Sequence, residues 1–262
     1  MVTFPPSFPV IDAHAHLGAY GSFRLPHAAE DDIIATLDRC GISLTIQSHD
    51  LALAVDVAEG NRRTLAVTAR HPGRVAGYWV VDPHLPAAAL ERELAAAVAR
   101  PGIVGLKFHT SFHDHPFSGP GYRPALEFAE AHALPVLTHG WEGPAVLEQV
   151  AGRYPHARFI LAHAGAAWNG RDAYPDLEVA ARQGNVWVDI CGSGAWFGAL
   201  PRLVERLGAA KILWGTDAVW FDPGPYLYRV LAAPIEEDAK RLILGGNAGE
   251  VFHMECRSLP PL

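Results

Sequence analysis

A chain of 262 residues, half of them hydrophobic, carries a net charge of −7 with no block of like charge. That balance excludes a surface built for nucleic acid or an anionic membrane, and no apolar run approaches the roughly 20 residues of a membrane helix. Cys40, Cys191 and Cys256 stand far apart without paired zinc spacing, and Met1 to Pro9 lacks the basic and apolar regions of a signal peptide, so a reducing cytoplasmic setting is expected.

The first strand-like run, Val10 to Leu17, carries His14 and His16 before Gly18. Residues i and i+2 of a strand share a face, so the two imidazoles project side by side at its end. Ala19 to Ala29 reads as a loop holding Arg24 and His27. A helix from Glu30 to Arg39 follows, its acidic first turn complementing the helix dipole and Gly41 ending it. Ile42 to Ser48 is a second strand, a helix runs from about Leu53 to Arg70, and His71-Pro72-Gly73 stops it. Val75 to Val81 is a third strand, followed by a helix over Pro86 to Arg100. Ile103 to Phe108 is a fourth, containing Lys107, with a polar loop and a helix over Pro124 to His132 behind it.

Leu134 to His139 and Arg158 to His163 are strands five and six, each ending in histidine, with helices over Gly143 to Arg153 and Tyr174 to Gln183. Asn185 to Ile190 is strand seven, with a helix over Leu200 to Leu207. Lys211 to Asp217 is strand eight, ending in aspartate. Beyond it lie a loop rich in aromatics and proline and a helix over Glu236 to Leu244.

Most of these strands are short, continuous apolar runs, as expected where both faces of a parallel sheet are buried. No Gly-x-Gly-x-x-Gly follows a strand, so an open dinucleotide-binding sheet is disfavoured. Eight strand–helix alternations without a composition break point to one (β/α)8 TIM barrel spanning residues 1–262. In that barrel the C-terminal strand ends share one mouth. His14, His16, Lys107, His139, His163 and Asp217 all fall there, and a histidine that would alone be read as structural becomes part of a constellation.

Those segments resemble the amidohydrolase superfamily, in its amidohydrolase-related branch of lactonases and aminocarboxymuconate-semialdehyde-type decarboxylases. The matching residues are Ile11-Asp12-Ala13-His14-Ala15-His16, Gly105-Leu106-Lys107-Phe108-His109, Thr138-His139, Leu161-Ala162-His163-Ala164-Gly165, Leu213-Trp214-Gly215-Thr216-Asp217, and a tail from Ile243 to Ala248 followed by Val251-Phe252. The resemblance implies one divalent metal on His14, His16, His139 and Asp217. Zinc suits that donor set best, manganese also fits, and one ion is favoured over two. Asp217 would act as general base toward metal-activated water, with His163 polarising a carbonyl or assisting proton transfer. Lys107 is either a substrate-binding amine or a carboxylated bridge between two metals, His163 then helping to bind the second.

The expected activity is hydrolysis of a small cyclic or carboxylated substrate, a lactone, ester or amide. The alternative is non-oxidative decarboxylation at the same metal. His14, where some decarboxylases of this branch have glutamate, leans toward hydrolysis. A non-catalytic metabolite-binding barrel is a third alternative, disfavoured by the intact ligand set.

Around this set, His109 shares a face with Lys107 and is a candidate for second-metal or substrate contact, and Asp12 lies one layer deeper as a hydrogen-bonding residue. His113 and His115 read as solvated loop histidines, Asp82 and His84 as site or turn residues, and Cys191 as a buried small side chain. Trp141, Trp168, Trp196, Phe197, Trp220 and Phe221 suggest an aromatic mouth, with Arg24 and Arg171 as carboxylate-binding donors. The expected partner is a small molecule, and the resemblance implies a homodimer.

Overall fold

The computed structural model describes residues 6–19, 25, 29–166, 174–192 and 198–254. β1 (Ile11–Leu17) is followed by α1 (Asp32–Cys40), β2 (Leu44–His49), α2 (Asp50–Ala54), α3 (Val57–Arg70), β3 (Val75–Val80), α4 (Ala87–Val98) and β4 (Ile103–His109). Next come α5 (Arg123–His132), β5 (Pro135–His139), α6 (Pro144–Arg153), β6 (Arg158–Leu161), α7 (His163–Ala166), α8 (Tyr174–Arg182) and β7 (Val186–Asp189). α9 (Ala199–Leu207), β8 (Ile212–Leu213), α10 (Pro223–Leu231), α11 (Glu237–Arg241) and α12 (Asn247–Val251) complete the chain, with one π turn, Leu242–Gly246, before α12.

Each strand pairs in parallel with the next, from β1 through β8. The remaining edge is drawn in by backbone bonds from Ala13 N to Trp214 O at 2.9 Å and from Thr216 N and Asp217 N to His14 O at 3.1 and 3.0 Å. Those bonds bring the end of β8 to the middle of β1, giving a (β/α)8 barrel. Leu106, Phe108, Val136, Phe159, Val186 and Val188 face outward into the helical layer. Ile11, Ile46, Tyr78, Leu137, Ile160 and Leu213 fill the lower barrel, where Val251 and Phe252 plug the bottom. Above these apolar layers lie His14, His16, Lys107, His163 and Asp217, all buried.

Four local differences from the sequence expectation have physical causes. The helix expected over 53–70 is two helices, because Asp56 starts a new one by accepting the Glu59 amide at 3.0 Å. The proline-rich stretch after β8, expected as a loop, contains α10: Asp222 caps it by accepting from Gly224 N at 2.9 Å, and Pro223 occupies the first turn, where no donor is missed. β1 does not alternate strictly. Its register shifts between Asp12 and Ala15, so Ile11 and Ala13 join the lower core while His14 and His16 join the upper end. Finally, His163 and Asp217 lie beyond their strands with φ of 58° and 57°, the left-handed region in which His and Asp are enriched. The backbone turns sharply at both residues. No helix among the described residues is long and apolar enough to cross a membrane.

Candidate metal centre

β1 delivers two imidazoles to the upper end of the barrel, and both are buried. His14 Nε2 lies 3.5 Å and His16 Nε2 3.4 Å from the same Asp217 oxygen, Oδ1. Among the described residues, His16 has no hydrogen-bond partner at either ring nitrogen. Two unsatisfied nitrogens on a fully buried ring are costly unless something else uses them.

His14, His163, Cys191 and Asp217 have potential ligand atoms all within 4.8 Å of one another. His139, at the end of β5, stands edge-on to both His14 and His163, with ring centroids 5.1 and 4.6 Å away. Lys107, on β4, is buried with its Nζ 3.0 Å from His14 Nε2 and 2.9 Å from His139 Nδ1.

The hydrogen-bond network assigns the protons. Lys107 donates to His14 Nε2 and His139 Nδ1, so both are lone-pair nitrogens. His139 Nε2–H then donates to His163 Nε2 at 2.6 Å, and His163 Nδ1–H faces Cys191 O at 3.3 Å. On the far side of His14, Nδ1–H donates to Asp189 Oδ2 at 2.8 Å.

Burial, reinforced by the Lys107 charge, pushes His14 down to about 4 and holds His139 and His109 well below the usual imidazole range. Neutral imidazoles are the form that binds metal. Burial also lowers Lys107 to about 8, while Asp189, Cys191 and Asp217 resist that shift. For Asp217 burial works upward, but the neighbouring imidazoles of His14, His16 and His163 overcome it and keep the carboxyl well below its usual range. Imidazole nitrogens around an ionised carboxylate, with one ring lacking a hydrogen bond among the described residues, fit a divalent cation.

The other expected site residues divide. His109 is buried, stacked between Phe112 and His139 with centroids 4.0 and 4.5 Å away. Trp220 stacks flat on His16 at 4.1 Å. Trp141 is buried, donating its indole N–H to Asp176 at 2.9 Å. Asp12 accepts the Thr216 hydroxyl and the His14 amide beneath the site, and burial raises it to about 8.

His113 and His115, expected as solvated, are engaged instead. His113 is buried against the Tyr122 hydroxyl at 3.1 Å, and His115 Nε2 accepts the Gly121 amide at 2.9 Å. His84 is a turn residue bonded to His113 O, its amide held by Asp82. Arg24, His27, Trp168, Arg171, Trp196, Phe197 and Cys256 lie outside the described residues.

Two residues not singled out from the sequence stand directly behind the ligand candidates: Asp189 behind His14 and Asp50, 3.6 Å from His16 Nδ1. Cys191 is buried as expected, but its Sγ lies 2.9 Å from His14 Nδ1 and 3.2 Å from His163 Nδ1, inside the cluster. Gly192 follows it with φ +61°, so close that a Cβ would fall 2.3 Å from Asp217 Oδ2. Only glycine lets β7 end against the site.

The fold has counterparts among known proteins. The amidohydrolase family profile matches residues 11–254. Among solved structures, 5-carboxyvanillate decarboxylase from Sphingomonas paucimobilis is similar with a TM-score of 0.76 and 18% identity, over 95% of this chain and 100% of that one. 2,6-Dihydroxybenzoate decarboxylase from Rhizobium is similar with a TM-score of 0.72 and 17% identity, over 94% and 99%. The 5-carboxyvanillate decarboxylase of Novosphingobium aromaticivorans, in complex with manganese and 4-hydroxy-3-methoxy-5-nitrobenzoic acid, is similar with a TM-score of 0.74 and 15% identity, over 94% and 96%. No curated protein matches by sequence. At these identities the structural likeness establishes the barrel, and the profile, which spans nearly the whole chain and every ligand candidate, establishes the lineage: the chain belongs to the amidohydrolase family.

Proposed function

We propose that the protein is a metal-dependent, non-oxidative decarboxylase of a small carboxylic acid, with an aromatic hydroxy acid as the substrate class. One observation carries the metal-dependent part: His14 Nε2 and His16 Nε2, the latter without a hydrogen bond among the described residues, both face Asp217 Oδ1, at 3.5 and 3.4 Å. The choice of decarboxylation over the hydrolysis suggested by His14 draws its support from the solved structures of similar fold, which include decarboxylases of 5-carboxyvanillate and 2,6-dihydroxybenzoate. His14, His16, His139 and Asp217 would hold one ion. Manganese is preferred because the N. aromaticivorans enzyme is bound to it, and zinc suits the same donors.

The ion would supply fixed positive charge to anchor and orient the acid. Lys107 adds a second cation beside it, suited to the substrate carboxylate. In the reaction the bond from the ring carbon to the carboxyl carbon breaks, its electron pair stays on the ring carbon, carbon dioxide leaves and a proton takes its place. Asp217 and His163, with Oδ2 and Nδ1 3.6 Å apart, form the pair that moves that proton. A cytoplasmic location and a homodimeric assembly complete the proposal.

The test is an assay of metal-stripped protein reloaded with manganese or zinc, given 2,6-dihydroxybenzoate, 5-carboxyvanillate and related acids while carbon dioxide is followed. A lactone and ester panel is run beside it with acid release as readout. Metal-dependent carbon dioxide release is the expected result. Acid release from the second panel, without decarboxylation of any member of the first, would return the site to hydrolysis.

A further inference from the structure

Each imidazole of the β1 pair has a carboxylate behind it, and the two carboxylates come from different strands. Asp189 ends β7, fully buried, with Oδ2 2.8 Å from His14 Nδ1. Its other oxygen accepts the backbone amides of His163 at 2.9 Å and Cys191 at 3.1 Å, which fixes the carboxylate in place. Asp50 follows β2 as the first residue of α2 and is also buried. Its Oδ2 accepts the Trp220 indole N–H at 2.9 Å, and Trp220 lies flat on the His16 ring, 6° from parallel. Its Oδ1, without a hydrogen bond among the described residues, lies 3.6 Å from His16 Nδ1, which also has none among them.

The two rings are therefore oriented alike. In both, Nδ1 faces a carboxylate and Nε2 faces Asp217 Oδ1. A carboxylate behind a ligating histidine fixes its tautomer and orientation, and losing one typically lowers metal affinity about 10- to 100-fold. We infer, building on the metal-dependent reaction proposed above, that Asp189 and Asp50 are positioning residues. They hold His14 and His16 as Nδ1–H tautomers, so that both Nε2 lone pairs converge with Asp217 Oδ1 on a single ion. Trp220 anchors Asp50 and clamps the His16 ring from its face, which gives this loop tryptophan a role behind the ligand set.

A merely structural role is the competing account: Asp189 satisfies two strand-end amides, and Asp50 satisfies an indole. Long-range proton–nitrogen spectra of protein carrying 15N-histidine, with and without zinc, separate the two, together with zinc titrations of wild type, Asp189→Asn, Asp50→Asn and Trp220→Phe. The inference expects Nδ1–H, Nε2-ligating signals for His14 and His16 in the wild type. It expects zinc affinity to fall about 10- to 100-fold in each aspartate variant, and less in Trp220→Phe, which keeps the ring stack.

Asp189→Asn disturbs two backbone contacts and is expected to lose stability, so Asp50→Asn and the wild-type tautomers keep the test decisive if it fails to fold. Ligation through Nδ1, or wild-type affinity in Asp50→Asn, would overturn the positioning roles while leaving a metal enzyme. A wild type that binds no zinc or manganese would overturn the proposed reaction, and the positioning roles with it.

Discussion

Lys107 Nζ lies 3.0 Å from His14 Nε2, on the lone pair that this histidine would offer to an ion, with His139 Nδ1 on its other side at 2.9 Å. A buried ammonium and a divalent cation beside the same nitrogen repel each other strongly in a low-dielectric interior. Burial already weakens the lysine's hold on its proton, bringing it to about 8.

Lys107→Met should therefore bind manganese more tightly than wild type, by about tenfold or about 1.4 kcal/mol. The rate of the proposed decarboxylation should fall at least about 100-fold, because the substrate carboxylate would lose the Lys107 cation. Isothermal titration and steady-state assays check the two halves. Loss of one of two bound ions on the same substitution would instead identify Lys107 as a carboxylated bridge.

Asp217→Asn keeps the shape of the side chain but removes the charge that faces His14, His16 and His163. Turnover should drop by about 10²- to 10⁴-fold, while His14 and His16 still retain an ion at reduced affinity. Metal content measured on the same sample as the rate distinguishes lost chemistry from a lost ion.

Trp141→Phe tests whether this tryptophan belongs to the mouth or the wall. Its indole N–H is the donor to buried Asp176, so stability should fall by about 1–3 kcal/mol with KM unchanged. A raised KM at unchanged stability would move Trp141 into the substrate pocket.

Glu130 ties α5 to the turn before β6, accepting the amides of His156 and Ala157 at 2.8 and 3.0 Å. Burial works upward on this carboxyl, but the bonds from His156 and Ala157 outweigh it and leave it below its ordinary value of 4.5. A depressed folded-state pKa stabilises above the unfolded pKa and is lost as pH falls through the folded one. Glu130→Gln should cost about 1 kcal/mol near neutrality, a difference that fades as both proteins are denatured at progressively lower pH below 4.5.

The barrel was legible because each strand is a short apolar run between helical stretches, and parallel closure brings those strand ends together whatever the loops do. That His14, His16, Lys107 and His139 lie at strand ends was legible for the same reason, while His163 and Asp217 fall just beyond theirs. Asp189 was not singled out, although a lone carboxylate in the inward register of Val186-Trp187-Val188-Asp189 was a visible signal. Asp50 had no such signal, since its partners, Trp220 and His16, lie far away in sequence and meet it only after folding. The register shift in β1 was equally hidden, because it depends on how β2 pairs with it. α10 was signalled by Asp222-Pro223, a cap followed by a first-turn proline, but the surrounding prolines and aromatics masked it.

Native mass spectrometry of manganese-loaded protein, wild type beside His16→Ala, tests the central claim most directly. The expected result is one manganese per wild-type chain, no added mass of carbon dioxide on Lys107, and a sharply reduced metal-bound fraction in His16→Ala. Two ions with a carboxylated lysine, or wild-type and His16→Ala chains that load identically, would contradict a single ion held at His14, His16 and Asp217.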